Sequence, residues 1–448
     1  MWISVIFGLI FSLIIVLIFV WYEYALALFI AYFILVPIVK FPAAINIPIG
    51  SKFVFLLFFG VFVYNHKDKL YSINYKPFTP FLVFYGAFGI LIVFQGFTYL
   101  GENVIFLFNN VISCVLFPIV IYGTIVFHPR SSKWIGLALL GSGTIFIIYG
   151  IFLTQMPGFN PYLSVSLPIF GETFNTAYAL GYSGLSNITD GPVAEGRMFG
   201  RISSVFRHPM TYALNLGLFA FFIVNFLKDK KLLRAVYIII IVIAILVSGV
   251  RTPILAMALT VLMIVIYRGN LKYASVMAIS IVVLAILLPM ISDDLYNYVG
   301  TVFGGKKQNV AGSSLSMRIE QFVACFDVLS DNLFQGNGYN WVNIYLDQHE
   351  IHPKLLAFES LVFVVLCNTG LIGVFIWTYL IVKVTEYCNT VKNTKIKLTL
   401  ICLGAYYLLF SCITGEYGYM LYFMIYFAFF AGIYESKMRT IKICSFVK

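Results

Sequence analysis

Residues 228–272 read KDKKLLRAVYIIIIVIAILVSGVRTPILAMALTVLMIVIYRGNLK. Two apolar runs, near 235–249 and 252–267, lie between two basic loops, 228–234 and 268–272. A helix needs about 20 apolar residues to cross a bilayer, so both runs read as short spans of one hairpin. What parts them is Ser248-Gly-Val-Arg-Thr-Pro253, in which Gly249 and Pro253 stop a helix and Arg251 sits in the break. A charge at membrane depth costs roughly 2.5–3.5 kcal/mol even on a lenient insertion scale. Across residues 211–250 the only acid is Asp229, and it lies in the basic loop. Arg251 is therefore expected to face a polar cavity or an anionic ligand, because irregular backbone at this depth is tolerated only where it lines such a cavity.

The rest of the chain extends that pattern. Of 448 residues, 61% are hydrophobic and 10% charged, against about 25% charged in a soluble domain. Spans are expected near 1–20, 24–39, 53–64, 80–98, 104–127, 134–153, 209–227, 235–249, 252–267, 273–290, 356–382, 398–413 and 419–434. The expected fold is all-α, a polytopic transmembrane helix bundle of about 12–14 spans with a long, partly helical extracytoplasmic loop. The corresponding divisions are N-terminal spans in 1–153, a first outer loop in 154–208, and central spans carrying the Arg251 break in 209–290. A large outer loop in 291–355 follows, then C-terminal spans and a tail in 356–448. The run Trp2 to Val20 lacks a basic leader region and is followed at once by a second run, so it is read as a span rather than a cleaved signal.

The net charge of +11 becomes a topology signal once it is mapped onto loops. Loops 65–79, 128–133, 228–234, 268–272, 383–397 and the tail after Tyr434 hold 19 of the 29 basic residues, and every second loop is basic. The positive-inside bias makes these loops cytoplasmic, and it removes nucleic acid as the reason for the charge. The N-terminus comes out external on this alternation, and merging the first two runs would reverse it. The opposite face carries 13 acids and 10 bases, and it owns both long loops. The seven cysteines are scattered, with only Cys325 in a sizeable outer loop, so neither a disulfide framework nor a Cys-rich metal site is indicated.

Five arginines on that outer face, Arg197, Arg201, Arg207, Arg251 and Arg318, need a reason to be there. Gly200-Arg-Ile-Ser-Ser-Val-Phe-Arg-His-Pro209 puts Arg201, Arg207 and His208 at the entry to a span. A guanidinium fork matches phosphate oxygens bidentately, which suits a polyanionic headgroup. Snorkelling interfacial anchors are the alternative. Arg318 opens a helix expected over Leu315 to Leu329, with Ile319, Phe322, Val323 and Phe326 on one stripe and a Gly336-Asn-Gly338 turn beyond. Glu359, at the head of the next span, is either a helix-terminus carboxylate or a tuned general base. His349 and His352 are too few ligands for a metal and read as solvated loop residues, as does His208. Tyr339, Trp341 and Tyr345 are suited to stacking on sugar rings or to an interfacial belt.

In order, a Gly-Arg-x-Ser-x-x-Phe-x-x-Pro element, a Ser-Gly-x-Arg break, a long loop with Arg318 and Leu333-Phe-x-Gly-x-Gly338, and Gly370-Leu-Ile-Gly373 follow one another. This order resembles the O-antigen polymerase and O-antigen ligase superfamily of bacterial envelope glycosyltransferases over roughly residues 195–380. The resemblance implies an all-helical, multi-pass protein of the bacterial inner membrane, working at its outer face on glycans carried by undecaprenyl pyrophosphate. It implies neither cofactor nor metal. Arg201, Arg251 and Arg318 match the family's basic positions that hold the pyrophosphate; Arg207 and His208 join the candidate substrate-binding set on charge and proximity alone. The ligases carry a His-Asn pair eleven residues before the Gly-x-x-Gly element, where this chain has Glu359-Ser360. That departure favours a polymerase with Glu359 as base and Arg251 as the electrostatic partner of the leaving group. The partners expected are undecaprenyl-pyrophosphate-linked glycans, membrane lipids and a chain-length regulator, with no nucleic acid. Rival expectations are a ligase that moves finished polymer to a lipid or protein acceptor, and a flippase of lipid-linked sugars.

Overall fold

A computed structural model describes residues 2–36, 51–96, 99–155, 160–162, 202–206, 208–250, 252–269, 315–349, 352–358, 360–414 and 420–446. Among these residues the regular structure is helical, and the only strand-like feature is an isolated antiparallel bridge between His352 and Leu356. We number the helices α1 (Trp2–Val20), α2 (Tyr22–Leu35), α3 (Ser51–His66), α4 (Thr79–Phe94), α5 (Leu100–Phe127), α6 (Ser131–Leu153) and α7 (Pro209–Phe226). There follow α8 (Lys231–Val247), α9 (Thr252–Tyr267), α10 (Leu315–Val328), α11 (Trp341–His349), α12 (Leu361–Thr390), α13 (Thr394–Thr414) and α14 (Met420–Phe446). Five of them, α5, α6, α7, α12 and α13, are long and apolar enough to cross a membrane, and four shorter apolar helices accompany them. The protein is an all-α, multi-pass membrane bundle. The expected span at 273–290 lies outside the described residues.

Burial sorts the helices into a centre and a rim. Every residue of α14 from Tyr422 to Ala431 is buried, and so is nearly all of α7 from Thr211 to Ile223. A helix that is apolar all round belongs in the middle of a bundle. On α1 the inward residues are Phe11, Ile14 and Ile18, while Leu9, Leu13 and Val16 are exposed. Such exposed aliphatic faces, repeated on α8 through Ile239, Val242 and Leu246, suit lipid rather than water. Aromatic rings fill the core: Phe55 stacks on Phe117 at 4.2 Å, and Phe29 meets both from α2. Helix α5 runs unbroken past Pro118 because a π-type turn, Ile112–Leu116, absorbs the residue's missing N–H.

The basic loops gather at one end. The Glu23 carboxylate takes a hydrogen bond from His128 Nδ1 at 2.8 Å, and His128 Nε2 meets His66 Nε2 at 3.1 Å. This ties the α1–α2 turn to the loops after α3 and α5. Asn74 reaches Glu435, Arg439 donates to the carbonyl and hydroxyl of Ser72, and Tyr434 accepts from the Lys392 amide at 3.3 Å. Tyr267 donates to Asn389 at 2.6 Å. Helix α10 and the residues around it lie at the other end. There Ile319, Phe322, Val323 and Phe326 face outward, while Gln321 and Cys325 turn to the bundle. The acids Glu320 and Asp327 are exposed beside that apolar stripe, so the outer face of α10 is mixed apolar and acidic.

Candidate functional site

The segment before α7 is a plug, not a surface loop. Ile202, Ser203, Ser204, Val205 and Phe206 are all buried. Ser204 adopts φ 52, a left-handed conformation that costs a non-glycine residue about 1–3 kcal/mol and recurs at functional sites. It is held there from both sides. Its hydroxyl donates to the Phe146 carbonyl at 2.6 Å, and its own carbonyl accepts from Asn160 Nδ2 at 2.8 Å. Asn160 is oriented in turn by the Tyr149 hydroxyl at 2.8 Å. Phe206 drives its ring between Phe146 and Tyr422, at 5.4 and 6.0 Å. His208 then caps α7, its Nδ1 accepting from the Met210 amide at 3.2 Å, and Pro209 takes the first helical position, where no N–H is needed.

That plug is bonded to the break between α8 and α9. The Ile202 amide donates to the Ser248 carbonyl at 3.1 Å. Ser248 ends α8, its hydroxyl donating to Ile245 and accepting from the Val250 amide, and Gly249 at φ 68 turns the chain. The backbone following Arg201 in sequence is thus joined to the backbone that leads into Arg251. Arg201, Arg207, Arg251 and Glu359 themselves lie outside the described residues.

Arg318 is described and half-buried on α10. Its guanidinium lies over the Phe363 ring at 5.9 Å and donates to Gln321 Oε1 at 3.2 Å. Phe363 is in the first turn of α12, so Arg318 belongs to the head of that helix. Ser360 caps α12: its hydroxyl accepts from the Val362 amide at 3.2 Å and donates to the Cys412 carbonyl at 2.6 Å. Helices α7 and α12 both pack on α13, where Tyr406 donates to the Ala213 carbonyl and the Cys412 carbonyl accepts from Ser360.

A second interlock holds α10 and α11 against α12. Gly370 has φ 58 and ψ −154, so α12 is broken there. The turn Leu333–Gly338 enters the break. Its Leu333 and Phe334 carbonyls accept from the Leu371 and Ile372 amides, both at 3.0 Å, and its Asn337 and Gly338 amides donate to the Cys367 and Asn368 carbonyls at the same distance. A Cβ on Gly370 would lie 2.5 Å from the Leu333 oxygen, and one on Gly336 2.4 Å from the Asn368 backbone. Asn368, fully buried, also accepts from the Val342 amide and donates to the Tyr339 carbonyl, both at 2.8 Å. Gln95 and Asn103 reach in from α4 and α5 to the Asn368 carbonyl and the Asn340 amide. None of these three polar residues stood out in the sequence; their one signal was an amide side chain in or beside an apolar run.

The turn entering α12 is tightly built as well. His352 and Leu356 exchange two backbone hydrogen bonds at 2.9 and 2.8 Å, and both Leu356 and Phe358 have φ 52. His352 Nδ1 accepts from the Lys354 and Leu355 amides at 3.2 and 3.0 Å. Partial burial, then the neighbouring Lys354, hold its pKa below the usual histidine value. Its proton therefore sits on Nε2. Lys354 pairs with Asp327 of α10 at 2.8 Å. No group of three or more metal-ligating side chains occurs among the described residues.

A helical membrane bundle with two loop-to-helix interlocks at the end away from its basic loops is thus the frame. The family model described as O-antigen ligase matches residues 236–378, from α8 through the Gly370 break to α12. Over those residues the chain is similar to the O-antigen polymerase and ligase superfamily, whose members are glycosyltransferase-like enzymes of glycan processing. No curated protein matches the chain.

Proposed function

We propose that this protein is a polymerase that joins oligosaccharide repeat units carried on undecaprenyl pyrophosphate, at the outer face of a bacterial inner membrane. The observation that carries this reading is the hydrogen bond from Ile202 to Ser248, which couples the chain beside Arg201 to the chain ahead of Arg251. The superfamily match over residues 236–378 supports it. Arg201, Arg251 and Arg318 hold the donor pyrophosphate, with Arg207 and His208 lending donors at the rim. The acceptor hydroxyl oxygen attacks the anomeric carbon, the bond from that carbon to the pyrophosphate oxygen breaks, and undecaprenyl pyrophosphate leaves. Glu359 takes the hydroxyl proton. Donors carried on backbone that is anchored before reaction spend little reorganisation energy as charge builds on the leaving group, and the 202–206 plug is anchored in that way. No nucleotide, metal or cofactor enters this scheme. A chain-length regulator is a partner consistent with it.

The test is Arg251→Lys, which keeps the charge and removes the fork. Polymer should fall to single repeat units on the final acceptor; normal polymer length and yield would refute the clamp. Transfer of finished polymer to a lipid or protein acceptor is the second reading, favoured by the description of the matching family. Glycan analysis of a deletion strain separates the two: a missing polymerase leaves single repeats attached, and a missing ligase leaves none.

A further inference from the structure

Helix α11 carries rings at Trp341, Tyr345 and His349, each four residues from the last and so on one stripe. The turn at 352–358 brings His352 and Phe358 against that stripe. Phe358 is fully buried and meets Trp341, Tyr345 and His352 edge-on, at 6.0, 6.1 and 5.6 Å. Around this floor Trp341, Tyr345 and His352 are half-buried and His349 is exposed, its imidazole stacked on Tyr345 at 4.5 Å. An interfacial belt sets rings singly among headgroups. Here the rings converge on one buried phenylalanine, immediately before position 359, on a turn strained at Leu356 and Phe358. The polar groups on this wall are directional: His352 presents Nε2–H because its Nδ1 is occupied by two amides, and Gln348 is exposed on the same stripe.

A sugar ring has an apolar face of C–H bonds and an edge of hydroxyls. An aromatic wall bearing a few fixed hydrogen-bonding groups is the complement of that surface. A lipid chain would leave the imidazole and amide without partners, and the cation of this turn, Lys354, is already paired with Asp327 rather than free for a phosphate.

We propose that Trp341, Tyr345, His349 and His352 form a carbohydrate subsite that docks a sugar residue of the acceptor glycan beside position 359. This rests on the glycan-transfer reading above, and the two can fail separately. The probe is the repeat-unit oligosaccharide released from its lipid by mild acid, with neither pyrophosphate nor polyprenol. Its binding to the full-length protein in detergent is followed by saturation-transfer NMR, alongside polymerisation of intact lipid-linked repeats. Wild type should bind the free oligosaccharide. Trp341→Ala and Tyr345→Ala should weaken it by about tenfold or more, the usual cost of truncating an aromatic anchor, and should raise the acceptor KM with little change in kcat. Tyr345→Phe should bind nearly as wild type, because stacking survives. Arg251→Lys should bind the oligosaccharide normally while losing polymerisation. His349→Ala removes an exposed ring and keeps the test available if a core-facing truncation fails to fold. Unchanged binding in all the wall variants overturns the subsite, as does a wild type that polymerises yet shows no binding of the free glycan. Binding that depends on the wall, in a protein that transfers nothing, leaves the subsite standing and sinks the polymerase.

Discussion

Among the described residues two helical stretches are interrupted, and they are filled in opposite ways. At Gly370 the amides and carbonyls freed by the break in α12 are met by the backbone of Leu333–Gly338, with Gln95 adding a bond to the Asn368 carbonyl. Between α8 and α9 the described break receives one backbone bond, from Ile202, and the chain then passes into an arginine. A break sealed by its own protein is a joint. We propose that a break leading into an arginine is a receptor, because a charge within an apolar run is retained for a cavity or an anionic partner. If this contrast is right, damage at Arg251 should cost activity and spare the fold, and damage at Gly370 should do the reverse.

Arg251→Lys is expected to have the largest effect, a fall in turnover on the order of 10²–10³-fold, as for loss of one preorganised donor at a developing charge. Thermal unfolding of the purified protein should stay near wild type. A variant that loses stability in step with activity would make the α8–α9 break a joint like the other.

Gly370→Ala comes next. The backbone angle costs about 1–3 kcal/mol for any residue but glycine, and the new methyl meets the carbonyls of Leu333 and Phe334 at 2.5 and 2.6 Å. Relief means expelling the 333–338 turn, so α10 and α11 should loosen together. Folded yield should drop and proteolysis between α10 and α11 should rise. A stable but inactive Gly370→Ala protein would move this break into the catalytic class.

Ser248→Ala is the milder counterpart at the other break. It removes a hydroxyl that donates to Ile245 at 2.8 Å and accepts from Val250 at 3.3 Å, and such a loss costs about 1 kcal/mol. The melting temperature should fall by only a few degrees. Activity should fall further than that stability loss accounts for, because the turn delivering Arg251 is no longer pinned. Equal, small losses in both would show that the orientation of this turn does not matter.

The difference between the breaks also explains what the sequence could reveal. Ser248-Gly-Val-Arg-Thr-Pro253 announces itself, since glycine, proline and a charge interrupt an apolar run. Gly370-Leu-Ile-Gly373 stands out as an element of the resemblance but not as a break, because glycines in an apolar run read as continuing helix and the partner turn lies more than thirty residues earlier in the chain. The membrane class and the gathering of basic loops at one end follow from local composition and are legible. The buried amides of Gln95, Asn103, Asn160 and Asn368 are legible only in three dimensions, since each serves backbone groups distant in sequence. Helix α10 shows the same limit. Its apolar stripe was readable, but that Ile319 and Phe322 face outward rather than into the bundle is a matter of packing that periodicity does not encode.

Acid should leave the Gly370 joint alone, since no group that titrates in mild acid takes part in its hydrogen bonds, and should act instead on the turn that enters α12. His352 keeps Nδ1 unprotonated to accept from two amides, and burial with Lys354 nearby lowers its pKa below 6.5. Lys354 and Asp327 are the charged groups paired at this turn, and their ion pair is exposed and adds little. For a base whose folded pKa is depressed, the neutral form is the folded form. Its contribution to stability is complete above pH 6.5 and is lost as pH falls through the lower folded value. The effect is small, because the side chain is only partly buried. Nitrogen chemical shifts of labelled His352 in the full-length protein should show Nε2 protonated at neutral pH, with Nδ1 gaining its proton only below pH 6.5. The His352–Leu356 amide pair should then begin to exchange while the 371 and 372 amides stay protected. Protonation of His352 above pH 6.5, or simultaneous loss of protection at both places, would mean that the turn and the joint are one unit, and that α12 is held from its head downward as a single element.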